Sequence, residues 1–237
     1  MQAEMLIGAE LSKGSGPAEP VINPKTGTHI VEIAEASPDQ VDKAVAAATK
    51  AFATWSRTTP AQRSALMSKL ADRIEAEADY YAELEALNCG KPLNAVKGDE
   101  MPAIVDCLRF FAGAARVVPG SAAAEYLPGY TSMIRRDPVG VVGSITPWNY
   151  PLMMAVWKIS PALMAGNTMV LKPSEMTPLT TLKLGRLIAE IFPEGVFNVV
   201  AGRGATVGNQ LINHAGVNMI SLTGSIATGQ KVLEAAA

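Results

Sequence analysis

The chain has 237 residues, 49% of them apolar and 18% charged, a balance that excludes a disordered or fibrous protein. With 20 basic against 22 acidic residues, neither a nucleic-acid coat nor a polybasic membrane anchor is expected. Two cysteines, Cys89 and Cys107, and two histidines, His29 and His214, supply neither a disulfide framework nor a metal-ligand set and fit a reducing, cytoplasmic compartment.

The first ten residues carry acids where a signal peptide needs bases, and no apolar run reaches the roughly 18 residues of a spanning helix. Residues 1–36 read as short strands and turns, with Asn23-Pro24 and Thr26-Gly27 bracketing a tight turn. Ser37-Pro38-Asp39-Gln40 is a capping box, followed by Val41, Val45, Ala48, Phe52 and Trp55 on one helical face. Thr59-Pro60-Ala61-Gln62 repeats the device before Leu66, Leu70 and Ile74, and Gly90 is the expected stop. After the loop Asn88–Pro92, a third helix is expected from Asp99 to about Val117, with Ile104, Leu108 and Phe111 inward. Ala122–Asp137 then turns extended around Pro128-Gly129, a hairpin that either reaches a partner subunit or covers its own domain.

Beyond Pro138 strands and helices alternate. Strands are expected at Val139–Ile145, Thr168–Leu171, Val196–Val200 and Val217–Leu222. Helices are expected at Leu152–Met164, Leu179–Ile191, Ala205–Asn213 and from Ser225 onward. Four β-α units in a row predict an α/β fold with a doubly wound parallel sheet, and in such folds ligands lie at the carboxyl ends of the strands. Three of those ends carry unusual residues: Thr146–Asn149, Lys172–Glu175 and Thr223–Ser225.

Each motif also has a plain structural use. Gly224–Gly229 turns a strand into a helix, where backbone N–H groups suit a phosphate, but Gln230 replaces the Walker lysine. Gly202-Arg203-Gly204, closed by Gly208, has one residue too many for a dinucleotide fingerprint. Lys172 and Glu175 pair as a surface ion pair or flank one ligand. Asn149 is a helix cap or an oxyanion donor. By residue type alone, Trp148 and Trp157 belong to a core. Neither cysteine reads as a nucleophile; Cys107 falls on an apolar helix face, and Lys91 beside Cys89 would lower that thiol's pKa without a base nearby.

In combination the strings are more specific. Asn23-Pro24-x-Thr26-Gly27, Gly90-Lys91-Pro92, Pro147-Trp148-Asn149-Tyr150-Pro151, Lys172-Pro173-Ser174-Glu175 and Thr223-Gly224-Ser225 follow one another in an order that resembles the NAD(P)-dependent aldehyde dehydrogenases. The resemblance runs along essentially the whole chain. It is strongest, through Thr131–Asp137 and Ser221–Gly229, to the branch acting on gamma-aminobutyraldehyde (4-aminobutanal) and betaine aldehyde.

The resemblance implies a Rossmann-like cofactor domain at residues 138–237, preceded by strands and helices (1–121) and an oligomerisation-type hairpin (122–137). It implies NAD as cofactor and attack of a cysteine thiolate on the aldehyde, with hydride passing to the nicotinamide and a glutamate activating water to release the acid. Asn149 would donate its amide to the oxyanion. Ile145, Pro147 and Trp148 would wall the cofactor cleft; Lys172, Ser174 and Glu175 would hold the adenosine ribose, with Glu175 favouring NAD over NADP. Gly204, Gly208, Thr223, Gly224, Ser225 and Thr228 would pass the adenine and pyrophosphate. Tyr150 and Trp157 would embrace a cationic amine, while Glu100 and Asp106 read as a solvated helix face. The family's glutamate motif (Glu-Leu-Gly-Gly) and nucleophile motif (Gly-Gln-x-Cys) do not occur in these 237 residues. A chain truncated before the catalytic domain, inactive alone and drawn from a homo-oligomeric parent (dimer or tetramer), is therefore expected, the alternative being a stand-alone nucleotide-binding module.

Overall fold

A computed structural model describes residues 3–118 and 123–236. Met5–Ile7 (β1) and Glu10–Ser12 (β2) fold back on each other, and Ala18–Ile22 (β3) pairs antiparallel with His29–Ala34 (β4). In the turn between β3 and β4, Asn23 Oδ1 accepts the Lys25 N–H at 2.9 Å, the local bond that makes asparagine a turn former. Both expected capping boxes form. Ser37 and Gln40 exchange side-chain and backbone bonds ahead of Pro38–Trp55 (α1), and Thr59 and Gln62 do so ahead of Pro60–Ala76 (α2).

A single helix was expected from Pro60 to Gly90, and the structure has two. Glu77 leaves helical geometry (φ −103°, ψ 16°) and Ala78–Cys89 (α3) begins afresh. No glycine or proline marks the break. Tertiary contacts account for it: Glu77 pairs with the distant Lys183, and the bend lays α3 against Leu179–Ala189 (α7). Gly90 does end α3, at φ +74°, where a Cβ would stand 2.8 Å from the Pro24 ring; two distant motif glycine and proline positions thus meet in one contact. Leu93–Ala95 (α4) and a wider turn, Val96–Glu100, lead into Met101–Ala114 (α5), so the helical path starts ahead of the expected Asp99. Ile104 and Leu108 are buried, Phe111 and Cys107 half-buried.

Ala124–Leu127 (β5) and Tyr130–Ser132 (β6) form the expected hairpin, although Ala122 falls outside the described residues. Tyr126, Leu127, Tyr130, Met133 and Ile134 are all exposed. Five further pieces then alternate: Val141–Ile145 (β7), Pro151–Met164 (α6), Thr168–Lys172 (β8), α7 and Phe197–Val199 (β9). A wide helical turn at Gly204–Gly208 and the four-residue Asn209–Ile212 (α8) take the place of the regular helix expected there, before Met219–Leu222 (β10) and Ile226–Ala236 (α9).

The sheet order is β10-β7-β8-β9-β1-β2. The four strands of the β-α units are parallel, and β8 is buried along its whole length, as a strand covered on both faces should be. Two strands at the start of the chain extend the sheet antiparallel, with Leu6 opposite Val199. The sheet is therefore mixed, and it crosses the expected division near residue 121. Helix α1 lies across β7, β8, β9 and β1 while α6 and α7 pack on the other face. Among the described residues no helix is long and apolar enough to cross a membrane.

Candidate functional site

Strand order sets the site. From β7 the chain moves through β8 to β9 on one side, then returns to place β10 on the other. Where the crossover direction reverses, the loops leaving neighbouring strands part and open a crevice at the carboxyl ends. A cleft of about 490 Å³ lies there. Its walls are Ile145, Thr146, Pro147, Trp148 and Asn149 from the β7 tip and Lys172, Ser174 and Glu175 from the β8 tip. Gly204, Leu222, Thr223, Gly224, Ser225 and Thr228 complete it.

The three strand tips singled out in the sequence are thus brought together. Of the residues expected around a dinucleotide only Gly208 does not line the cleft; it is buried behind it, where a Cβ would stand 3.6 Å from the Lys172 side chain. Trp148 and Trp157 are about half exposed, contrary to the core role their residue type favours. A larger cavity of about 870 Å³ lies between the β4–α1 junction and α8. Its one buried carboxylate, Glu35, is already engaged by the Arg203 N–H and the Thr206 hydroxyl, each at 2.8 Å.

Lys172 and Glu175 are not an ordinary surface pair. The lysine ends a buried strand and is 2% exposed, and its Nζ donates to Glu175 Oε2 at 3.1 Å and to the Gly202 carbonyl at 2.7 Å. Burial lowers the lysine's pKa, and the charge of Glu175 opposes that shift. Gly202 can present its carbonyl because it sits at φ +148°, where a Cβ would collide with the Val207 side chain. The ammonium is consumed internally, and the charge left facing the cleft is the half-exposed Glu175 carboxylate. In the same cleft wall the Thr146 hydroxyl is buried without a protein partner, a group that a polar ligand in the cleft would satisfy. The turn Thr223–Ser225 offers backbone at the start of α9, with open space around Gly204.

Asn149 is exposed at the cleft rim. It is not the cap of α6, since Tyr150 holds that position and makes no capping bond. Among the described residues its side-chain amide has no hydrogen-bond partner and remains a free donor. Tyr150 and Trp157 line a neighbouring cavity of about 440 Å³ with Met153, Met154, Asp99 and Glu100. Here one expectation is corrected. Glu100 is not a solvated face: it is 7% exposed and chelates Lys91 Nζ at 2.7 and 2.8 Å. That ammonium stands 3.7 Å from the centre of the Tyr150 ring, so the face expected to meet a substrate cation already holds one of the protein's own. Asp106 is exposed, as expected.

Lys91 does not activate Cys89 either. Burial, reinforced by Glu85, pushes that thiol up to about 12, and its Sγ donates to the Trp148 carbonyl at 3.3 Å. Cys107 is raised by burial too. Sequence reasoning passed over Lys158, the single charge in α6, whose half-buried Nζ reaches Ser221 Oγ at 3.0 Å and whose pKa burial lowers. Its signal was a lone lysine in an apolar helix. Among the described residues no group of three His, Cys, Asp or Glu side chains is placed to hold a metal ion.

Residues 12–237 match the model of the aldehyde dehydrogenase family. The chain is 42% identical to betaine aldehyde dehydrogenase of Bacillus subtilis over 238 residues, which cover 99% of this chain and 48% of that protein. Its structure superposes with a TM-score of 0.95 on PnpE from Pseudomonas sp. WBC-3 (44% identity; 99% of this chain, 48% of that one). It superposes equally, at 0.95, on the NAD+ complex of an aldehyde dehydrogenase from Bacillus cereus (38% identity; 100% and 49%). The chain spans about half the length of the relatives it matches. A crevice at the switch point of a doubly wound sheet, bounded by the family's motifs in the family's order, agrees with the match over nearly every residue: the chain belongs to the aldehyde dehydrogenase family.

Proposed function

We propose that this chain is the cofactor-binding half of an enzyme that oxidises an aldehyde to its carboxylic acid with NAD, the aldehyde being an aminoaldehyde such as 4-aminobutanal or a close relative. The observation that carries the reading is the Glu175 carboxylate. The buried Lys172 holds it at the rim of the same cleft that receives the start of α9. A carboxylate there accepts hydrogen bonds from ribose hydroxyls and repels a 2′-phosphate. The residues fit a dinucleotide: an orphaned Thr146 hydroxyl, free space at Gly204 and the backbone N–H groups of Gly224 and Ser225, that of Thr223 being given to the Ile145 carbonyl. The bound nicotinamide would supply the hydride acceptor. Trp148 and Pro147 shield one side of the cleft, and Asn149 offers a neutral N–H to an oxygen gaining negative charge.

Neither cysteine of this chain suits attack on the aldehyde, because burial raises both thiol pKa values. The nucleophile and the base that activates water come, in this reading, from outside these 237 residues, and the chain alone does not turn over. The exposed apolar β5–β6 hairpin is suited to joining subunits of a homo-oligomer. With Lys91 covering one face of Tyr150, a substrate cation would rest on the exposed Trp157 ring near Asp99.

Calorimetry tests the cofactor reading directly on the chain. NAD is expected to bind more tightly than NADP, and tighter binding of NADP overturns it. In the protein that performs the oxidation, Asn149→Ala is expected to lower turnover by about 100- to 1000-fold. Turnover within a few-fold of the parent removes Asn149 from the chemistry.

A further inference from the structure

The last turns of α3 stand behind the cleft and bind the backbone of two strand-tip loops at once. Asn88 accepts the Leu179 N–H and donates to the Met176 carbonyl, both at 3.1 Å, which fixes the loop after β8. The loop after β7 is held more elaborately. Its Trp148 carbonyl receives Cys89 Sγ at 3.3 Å and the Thr177 hydroxyl at 3.1 Å. Three residues past Asn149, the Leu152 N–H donates to Glu85 Oε1 at 3.2 Å, and Glu85 Oε2 accepts the Thr180 hydroxyl at 2.6 Å.

Helix α6 begins with Pro151, which has no N–H, and its capping residue Tyr150 contributes no side-chain bond. Leu152 therefore carries the first backbone donor of the helix, and the only acceptor found for it among the described residues is a carboxylate from another helix. A negative charge at that end is favoured by the helix dipole. A carboxylate 1% exposed is costly to bury unless it is hydrogen-bonded. Glu85 keeps a carboxylate there although an apolar residue would fill the space more cheaply, so its bonds to the loops have a use beyond packing.

We propose that Glu85 is a positioning residue. As a remote cap on α6, together with the bonds on the Trp148 carbonyl, it sets the path of Pro147–Tyr150 and hence the aim of the Asn149 amide and the wall of the cofactor cleft. Asn149 has no side-chain bond of its own among the described residues, so its direction derives from the backbone on either side. The consequence for Asn149 and the cleft rests on the cofactor reading given above; the capping of α6 does not.

The test uses the 237-residue chain with Glu85→Ala, Glu85→Gln and, as a control, Leu70→Ala, a buried position in α2 that belongs to neither loop. Amide exchange at Leu152 and the affinity for NAD are both measured. Glu85→Ala is expected to speed exchange at Leu152 at least tenfold relative to the amides of β8 and to weaken NAD about tenfold, the scale of a lost cap. Glu85→Gln, whose amide oxygen can still accept from Leu152, is expected to return both to within about threefold of the parent. Leu70→Ala is expected to lower the melting temperature and leave both ratios within about twofold. If Glu85→Ala fails to fold, Glu85→Asp carries the test: it keeps the carboxyl group but draws it away from Leu152, and faster exchange there is again expected. Exchange at Leu152 unchanged in Glu85→Ala or Glu85→Asp, or changed equally by Leu70→Ala, overturns the proposal. A parent chain that binds no NAD defeats the cofactor reading instead and leaves the exchange measurement to decide on Glu85.

Discussion

The strand-tip region and two outlying elements, the hairpin and α9, stand in opposite circumstances. In the first, β8 is buried along its length, and Lys172, Glu85 and Asn88 are buried with partners for their polar atoms. In the second, Tyr126, Tyr130 and Met133 on the hairpin and Ile226 and Leu233 on α9 are exposed, and no residue of α9 is buried. Amphipathic periodicity reports that a face is made to be covered; it does not report whether the cover is present in the same 237 residues. The two regions should therefore respond differently to the same chemical change.

Truncation of the core gives the widest separation. Ile159→Ala, at a fully buried site in α6, is expected to cost about 2–5 kcal/mol, whereas Leu233→Ala in α9 should stay within about 0.5 kcal/mol. Denaturant melts of the two variants measure this, and equal losses would erase the distinction between the regions. Next in size is cofactor choice. Glu175→Gln removes the charge facing the cleft, and the ratio of NADP to NAD affinity is expected to rise on the order of tenfold in calorimetry; an unchanged ratio would mean that Glu175 does not discriminate.

The pH response of Glu85 sharpens the comparison further. Burial raises its carboxyl pKa, against the bonds from Thr180 and Leu152 and with the Lys91–Glu100 pair nearby. A folded value above the unfolded one means that the native state binds the proton more readily. Its contribution to stability is full below the unfolded value of about 4.3 and is lost as pH rises through the folded value. Relative to Glu85→Gln, the parent should therefore lose stability with rising pH over that interval and no further beyond it. Thermal melts across the acid-to-neutral range check the sign. The smallest effect belongs to the outlying residues: the exposed Arg135–Asp137 pair is expected to show a coupling of about 0.5 kcal/mol or less in a double-mutant cycle.

Local rules carried the sequence reading a long way. Capping boxes at Ser37 and Thr59, the left-handed stop at Gly90 and the strand-tip motifs all lie where short-range chemistry puts them. What was illegible depends on contacts between distant segments. The break at Glu77 answers to Lys183, and the burial of Glu100 to Lys91 and Tyr150. The importance of Glu85 emerges only when Leu152 and Thr180 are brought to it. The fold class required only a run of alternating elements. The antiparallel addition of β1 required knowing which edge of the finished sheet was open.

That addition bears on how the molecule is made. Leu6 meets Val199, and the Gly8 N–H finds its acceptor on the Asn198 side chain at 2.8 Å. At the usual pace of translation, about 5–20 residues per second, roughly 10–40 s separate the emergence of β1 from that of its neighbour. During that interval the β1–β2 hairpin waits at the ribosome with the β1 edge that will receive β9 unpaired, open to chaperones and to other nascent chains. A slow stretch of codons after residue 199 would favour correct closure more than one placed before it.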